Sequence, residues 1–463
     1  MKKIELLDTT LREGEQSANV SFTVDQKIEI LKSLDEFGVE FIEIGHPIVS
    51  PDVHDAVQKI SQIETKASKL IHSRAMKDDI DLAHSFNIEW IGIFFGTSDL
   101  SLKYKFGIDR TEAIKKIIDS VKYAKDKGMK LRFTAEDATR TNIDYLIEVA
   151  QAVSDAGADR FSIADTVGIL TPEKTTNLVS KIVENITVPV HIHCHNDFGL
   201  AVANSVSALL SGAQVADVTI NGIGERSGIT SLAEIALLLK TQYNFENNWD
   251  LSKIYKLSKK VERMSGIFNS ENKPIVGVNA FTHKAGLHSR AVIKDPRTYE
   301  AFDPKIIDRT RDISIDKYSG IDALGFRLKS LNVPHNKKQL LEILKVIKSH
   351  PEKRKFNDLE ILELADEILK VDIKTYVPID VEAILNIELN SAVYTSRITR
   401  WLMSRSQVKD VYEVAGDYDI IAHINAKSIS DLNDIVEELR VKEGVLRTHT
   451  RPVLKGYSIS QNK

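Results

Sequence analysis

Ile4-Glu-Leu-Leu-Asp8-Thr-Thr-Leu-Arg12-Glu13-Gly14-Glu-Gln16 begins with a short apolar run and ends in a charged, hydrogen-bonding segment. A strand that delivers Arg12 and Glu13 just past its end sets a cation beside a hard oxygen ligand. That pairing can hold a metal ion next to an anionic oxo-acid. The turn Leu11-Arg12-Glu13-Gly14 lacks the G-x-G-x-x-G pattern with which an open doubly wound sheet receives phosphate. The segment therefore reads as the mouth of the first strand of a closed barrel.

Working outward, residues 1–225 alternate apolar strand-like runs with longer amphipathic stretches. Ile4–Thr10, Phe41–His46, Leu70–Arg74, Trp90–Gly96, Leu131–Asp137, Arg160–Thr166, Val188–His195 and Val215–Asn221 make eight strands. Between them lie helical patterns such as Val24–Phe37, Thr111–Lys127, Asn142–Ala156 and Pro172–Val183. Eight strand–helix units in this length predict an α/β fold of the (β/α)8 TIM-barrel kind. Helical pattern then runs from Leu232 to about Met264, Gly277–Pro304 reads as irregular and polar, and Lys337–Lys348 and Asp358–Leu369 read as helices. From Val381 the order is βαββαβ, a ferredoxin-like α+β arrangement with Gly416-Asp417 as a tight turn. The expected domains are a catalytic barrel with flanking helices over 1–265, a mostly helical linker over 266–377, and a small domain over 378–463.

Bulk properties narrow the function classes. A chain of 463 residues fits two or three domains, and 42% hydrophobic with 28% charged residues describes a soluble globular protein. The 62 basic and 66 acidic residues give a net charge of −4, so no basic field recommends nucleic acid as a partner. One cysteine, Cys194, allows no intrachain disulfide and suits a reducing compartment. The first residues lack a signal-peptide core, and no apolar stretch reaches membrane-spanning length, so a cytoplasmic protein is expected.

Reactive residues accumulate at the C-terminal ends of the strands, where barrels of this kind place their sites. The first strand gives Arg12 and Glu13, and the third His72 and Arg74. The fifth gives Arg132, Thr134, Glu136 and Asp137, the sixth Asp165 and Thr166, and the seventh His193 and His195. Strand alternation points His193 and His195 one way and Cys194 the other. Two imidazoles plus the carboxylate of Glu13 make a three-ligand metal site with open positions, whereas two histidines merely hydrogen-bonded in a polar barrel mouth is the plainer alternative. His191 shares their face but lies deeper, which suits packing. Arg132, His72, Thr134 and Thr166 suit a second carboxylate, although each alone would also serve as a structural polar group.

Several segments together resemble the homocitrate synthase and isopropylmalate synthase family. They are the opening Asp8–Gln16 motif, Phe161-Ser-Ile-Ala-Asp-Thr-Val-Gly168, His191-Ile-His-Cys-His-Asn-Asp-Phe-Gly199, Asn221-Gly-Ile-Gly-Glu-Arg-Ser-Gly228 and Gly277–His288 running on to Asp295-Pro-Arg-Thr-Tyr299. The resemblance implies a metal-dependent Claisen condensation of acetyl-CoA with a 2-oxo acid. It implies Glu13, His193 and His195 as divalent-metal ligands, and Arg12 as the group beside the metal that contacts the oxo-acid. His72, Arg132, Thr134 and Thr166 would hold 2-oxoglutarate, while His288, Glu136 and Tyr299 would serve acid–base catalysis. It also implies a domain-swapped homodimer in which His288 and Tyr299 enter the partner's site. Thr134-Ala135 departs from the pair of serines common in homocitrate synthases, and Ser98–Lys105 is similar to archaeal-type isopropylmalate synthases. The charge of His72 and Arg132 favours 2-oxoglutarate over a branched oxo-acid. Isopropylmalate synthase and citramalate synthase are the alternatives, with a lyase of the same barrel family behind them. The donor set admits Mg2+, Mn2+ or Zn2+.

Val381–Gly456 resembles the effector-binding half of Lrp/AsnC-type regulators, most of all in Val408–Ile421. That resemblance implies lysine as a feedback effector, with Asp417 and Asp419 as polar contacts. A ligand-free dimerisation module is the alternative. A transcription factor would need a helix-turn-helix and a basic face, and the acidic chain offers neither signal.

Overall fold

The computed structural model describes residues 4–453 apart from 244, 285, 351–354, 357, 371–380, 391–393 and 427–428. The chain divides into two compact units, Met1–Gly277 and Val278–Lys463.

In the first unit the strands are β1 Glu5–Asp8, β2 Phe41–Gly45, β3 Ser68–Arg74, β4 Trp90–Gly96, β5 Lys130–Glu136, β6 Arg160–Asp165, β7 Val190–Cys194 and β8 Val215–Val218. They form a closed parallel barrel in sequence order, and β8 pairs back onto β1 with Leu7 opposite Asp217. Closure explains the near-continuous apolar runs, because helices cover the outer face while side chains fill the inside. Leu7, Phe41, Leu70, Trp90 and Val215 pack as one cluster inside the barrel. The Arg160 guanidinium lies 4.5 Å over Phe41 and 5.3 Å over Trp90.

The helix Val24–Phe37 shows how local signals set the boundaries. Thr23 and Gln26 form a reciprocal capping box at its start, and Gly38 ends it at φ +97°. A Cβ on Gly38 would also stand 3.1 Å from the Asn248 carbonyl oxygen, so both conformation and space require glycine there.

Two expectations are corrected. The helical pattern of Leu232–Met264 is broken into Leu232–Thr241 and Ile254–Ser265. Between them Asp250 accepts from the Ser252 amide and starts a new turn, a local competition that hydrophobic periodicity does not register. The irregular stretch Gly277–Pro304 contains the helix Gly286–Lys294. Its polar composition hides a short inward face, Ser289, Val292 and Ile293, at helical spacing.

In the second unit the helices Ile321–Ser330, Lys337–Ser349 and Asp358–Leu369 share a core that includes Leu324, Leu328, Ile343, Ile347 and Ile361. The C-terminal part is a four-stranded antiparallel sheet. Val381–Leu389 pairs with both Ile420–Ala426 and Val445–Pro452, and Val408–Glu413 lies outside Ile420–Ala426. With the helices Thr395–Met403 and Ile429–Arg440 this is the ferredoxin-like order. Leu385, Ile387, Ile398, Leu402, Ile424 and Val436 form its core. The boundary expected near 377 lies outside the described residues.

Candidate active site

Arg12, Glu13, His72, Arg132, Thr134, Glu136, Thr166, His193 and His195 all line one cavity of about 280 Å3 at the mouth of the barrel. They come from β1, β3, β5, β6 and β7 or the residues just past them, and the parallel strands bring them to one rim. On β7 the alternation turns His193 toward this cavity, and His195 follows just past the strand's end. Cys194 between them is fully buried. Burial pushes the Cys194 thiol far above its ordinary range.

One ligand atom each from Glu13, His193 and His195 lies within 4.8 Å of the other two, and all three residues are buried. The His193 ring uses Nδ1 toward Asp217 at 3.2 Å, which leaves Nε2 for a ligand. The His195 Nδ1 is buried without a hydrogen-bond partner. One Glu13 oxygen accepts from the Glu225 amide at 3.0 Å and the other from Arg12 at 2.5 Å. A Cβ on Gly224 would stand 3.0 Å from that first oxygen, so glycine there makes room for the carboxylate. Burial raises the Glu13 carboxyl, but Arg12, His193 and His195 together outweigh it and hold the group below its ordinary value. Burial and the adjacent His193 lower His195, keeping its ring neutral and able to bind a cation. These donors fit a divalent cation.

Two carboxylates that the sequence analysis did not single out organise the rest. Glu43, fully buried on β2, accepts from Arg12 Nε at 2.6 Å, His72 Nδ1 at 3.0 Å and Arg132 Nη2 at 2.9 Å. Burial drives its pKa up, yet Arg12, His72 and Arg132 together leave it well below the ordinary carboxylate range. Asp217 on β8 binds His191, His193 and Arg132, and those partners likewise overcome its burial. The signal for both was a lone carboxylate inside an apolar strand, Phe41-Ile-Glu-Ile-Gly45 and Val215-Ala-Asp-Val218, where an unpaired charge would be prohibitive. Lys105, also unforeseen as a site residue, reaches the cavity from the segment Leu102–Phe106 and pairs with Glu136.

His72 stacks on Phe94 with centroids 4.6 Å apart, and burial followed by Arg12 lowers its pKa to about 4. Arg132 is almost wholly buried, and its Nε and the Thr134 hydroxyl have no hydrogen-bond partner. Thr166 accepts from the Asp137 amide at 2.8 Å. His191 lies deeper, held by Asp217. Three rim residues are turned to other tasks. Arg74 forms a bidentate pair with Asp79, Asp137 accepts a bidentate pair from Arg140, and Asp165 caps the amides of Ile169 and Leu170. His288 and Tyr299 belong to the second unit, where their rings lie 4.1 Å apart and both are exposed. In the C-terminal domain Asp419 accepts from the Leu389 amide at 2.6 Å, a structural commitment, and Asp417 is exposed.

The arrangement can hold a cation on one wall and an anion between Arg12 and the Arg132–Thr134 side. Three family patterns match the chain: HMGL-like over residues 3–261, homocitrate synthase post-HMGL domain-like over 275–355, and Lrp/AsnC ligand binding domain over 382–462. The homocitrate synthase of Saccharolobus islandicus is 45% identical over 460 residues, covering 98% of this chain and all of that protein. Those of Saccharolobus solfataricus and Sulfurisphaera tokodaii are each 44% identical, again over 98% of this chain and at least 99% of theirs. Among solved structures, the HMG-CoA lyase of Bacillus subtilis aligns with a TM-score of 0.53 at 21% identity, covering 57% of this chain and 95% of that one. An HMG-CoA lyase from Acinetobacter baumannii, in complex with coenzyme A and 3-methylmalate, aligns at 0.51 and 18%, covering 56% and 90%. These two likenesses bear on the fold alone.

Proposed function

The chain belongs to the homocitrate synthase family, and from that premise we propose that it condenses acetyl-CoA with 2-oxoglutarate to give homocitrate and CoA, the first step of lysine biosynthesis by the 2-aminoadipate route. The observation that carries the choice of oxo-acid is the pair of unpartnered buried donors on cavity-lining residues, Arg132 Nε and Thr134 Oγ1. A buried donor without a partner is costly, and a distal carboxylate would satisfy both. A branched apolar side chain would leave them bare.

A divalent cation on Glu13, His193 and His195, whether Mg2+, Mn2+ or Zn2+, would supply Lewis-acid polarisation of the keto group. Arg12, anchored by Glu43, holds the reacting end of the oxo-acid and meets the negative charge that grows on its keto oxygen. His288, assisted by Glu136, takes a proton from the acetyl methyl group, and the resulting carbon nucleophile attacks the keto carbon. Tyr299, against His288, serves as proton donor or relay. Water then cleaves the thioester and releases CoA. His288 and Tyr299 act from the partner chain of a domain-swapped homodimer in this reading. No described helix is long and apolar enough to cross a membrane, in keeping with a cytoplasmic biosynthetic enzyme.

CoA release measured with acetyl-CoA and each of 2-oxoglutarate, 2-oxoisovalerate, pyruvate and oxaloacetate tests the proposal. The largest kcat/KM belongs to 2-oxoglutarate, and a clear win for 2-oxoisovalerate overturns it. The Lrp/AsnC-like domain binds lysine as a feedback effector. Titration of lysine into the full chain with neither heat nor inhibition would refute that part.

A further inference from the structure

Lys105 differs from the other cations at the barrel mouth. Arg12 is held by Glu13 and Glu43, and Arg132 by Glu43 and Asp217, all of them buried. Arg140 is taken by Asp137. Lys105 pairs with Glu136 instead, and it reaches that carboxylate from a segment outside the barrel strands. Its side chain is 53% exposed, against 18% for Glu136. An ion pair this open adds little to stability, so stability does not account for it.

The turn that carries Lys105 is built in an uncommon way. Across Leu102–Phe106 the Leu102 carbonyl accepts from the amide of Gly107, five residues on. Such π-helical turns are rare and gather at functional sites. The turn is pinned to the barrel on both sides of Lys105. Ahead of it, Thr97 donates its amide to the Glu136 carbonyl at 3.0 Å, and Ser98 donates its hydroxyl to the Asp137 carboxylate at 2.5 Å. After it, the Phe106 ring stacks on Phe95 of β4 with centroids 4.3 Å apart. Gly96 lies opposite Glu136 in the register of β4 and β5 and makes the room. A Cβ there would stand 2.7 Å from that of Ser101 and 3.3 Å from the Phe106 ring.

The same bonds fix the backbone of Glu136. Thr97 holds its carbonyl, and the next amide, of Asp137, donates to Thr166 at 2.8 Å. The barrel therefore sets where the Glu136 side chain starts, and Lys105 sets where its carboxylate ends.

We propose that Lys105 is a positioning residue: the pinned turn Leu102–Phe106 carries its ammonium to Glu136 and aims that carboxylate into the cavity for catalysis. The inference rests on the reading of Glu136 as a participant in acid–base catalysis and does not depend on which oxo-acid reacts. The test is a double-mutant cycle in the full chain, Lys105→Met, Glu136→Gln and both together, read as kcat and KM for CoA release with the oxo-acid the wild type prefers. A group that acts only through Glu136 lowers kcat and leaves KM for the oxo-acid where it was. Lys105→Met loses kcat on the order of 10²-fold, the cost of a catalytic group displaced by about 1 Å. In the Glu136→Gln background the same change costs nothing further, because the carboxylate that Lys105 aims is gone. Lys105→Arg, which still presents a cation to a carboxylate, regains most of the loss. A raised KM for the oxo-acid, or losses that multiply in the double variant, overturns the inference in favour of direct contact between Lys105 and substrate. Undiminished kcat in Lys105→Met overturns it outright. Wild-type kcat in Glu136→Gln is a different failure, that of the acid–base reading of Glu136. Crystal structures of the wild type and Lys105→Met judge the positioning without any turnover. The Glu136 carboxylate turns to a new rotamer in the variant, and an unmoved carboxylate overturns the inference even if the chain condenses no oxo-acid.

Discussion

Replacing Glu43 by glutamine removes one charge and changes no volume, at a point where three site residues converge. Its Oε1 accepts from His72 and Arg132, and its Oε2 accepts from Arg12. An amide can accept at only one of these positions and must present an NH2 group to donors at the other. Arg132 is almost wholly buried, so it cannot recover hydration, but it keeps Asp217 at 3.1 Å. Arg12 keeps Glu13. Breaking a buried pair costs about 3–5 kcal/mol, and the remaining partners place Glu43→Gln at the lower end, about 3 kcal/mol. For a domain this large that corresponds to a fall in Tm on the order of 6 °C, read by calorimetry of the full chain. Adding Arg132→Met should cost further stability, because the buried Asp217 carboxylate then loses the guanidinium that pairs with it. A Glu43→Gln Tm within about 1 °C of wild type, or a double variant more stable than the single one, would refute the view that Glu43 and Asp217 together anchor the clamp.

Three further outcomes are expected. His288→Ala nearly abolishes turnover while bound metal stays at the wild-type level, and mixing it with Glu13→Ala restores part of the activity if the chains share sites; retained turnover in His288→Ala removes it as the base. His195→Ala lowers bound metal measured by plasma emission, and chelation silences the wild type until a divalent cation is returned; full metal content in the variant excludes His195 from the ligand set. Asp8 is buried with one oxygen unpartnered, and burial raises its pKa from 3.8 to about 7. Folding therefore favours the protonated form, and stability that is complete below pH 3.8 is lost as pH rises toward 7, by about 4 kcal/mol. The stability of Asp8→Asn relative to wild type should rise across that window, and a flat difference would refute the assignment.

The barrel was legible because closure demands eight apolar runs with helices between them, and both periodicities are visible in the chain. All nine barrel residues expected at the site line one cavity. What escaped was the layer beneath. Glu43 and Asp217 are lone carboxylates within otherwise apolar strands, and their meaning depends on which cations lie across the barrel, which no linear pattern gives. Lys105 escaped because its reach to Glu136 depends on the turn that carries it. The break after Thr241 followed from an aspartate cap outweighing helical periodicity. Arg74 and Asp165 show the converse, charged residues at the right strand ends that a neighbouring helix or loop had already claimed.

Cys194 sits between two imidazoles that face the cavity, yet its sulfur is turned away from it and fully buried. Strand alternation alone makes that separation, and a slip of one residue in β7 would exchange a thiolate for the histidines. The cation wall is thereby kept free of soft donors. Copper(I) and other thiophilic ions find no sulfur there, and an oxidant finds no accessible thiol to convert to sulfenic acid. The single cysteine is thus spectator chemistry, shielded by the same register that exposes its neighbours.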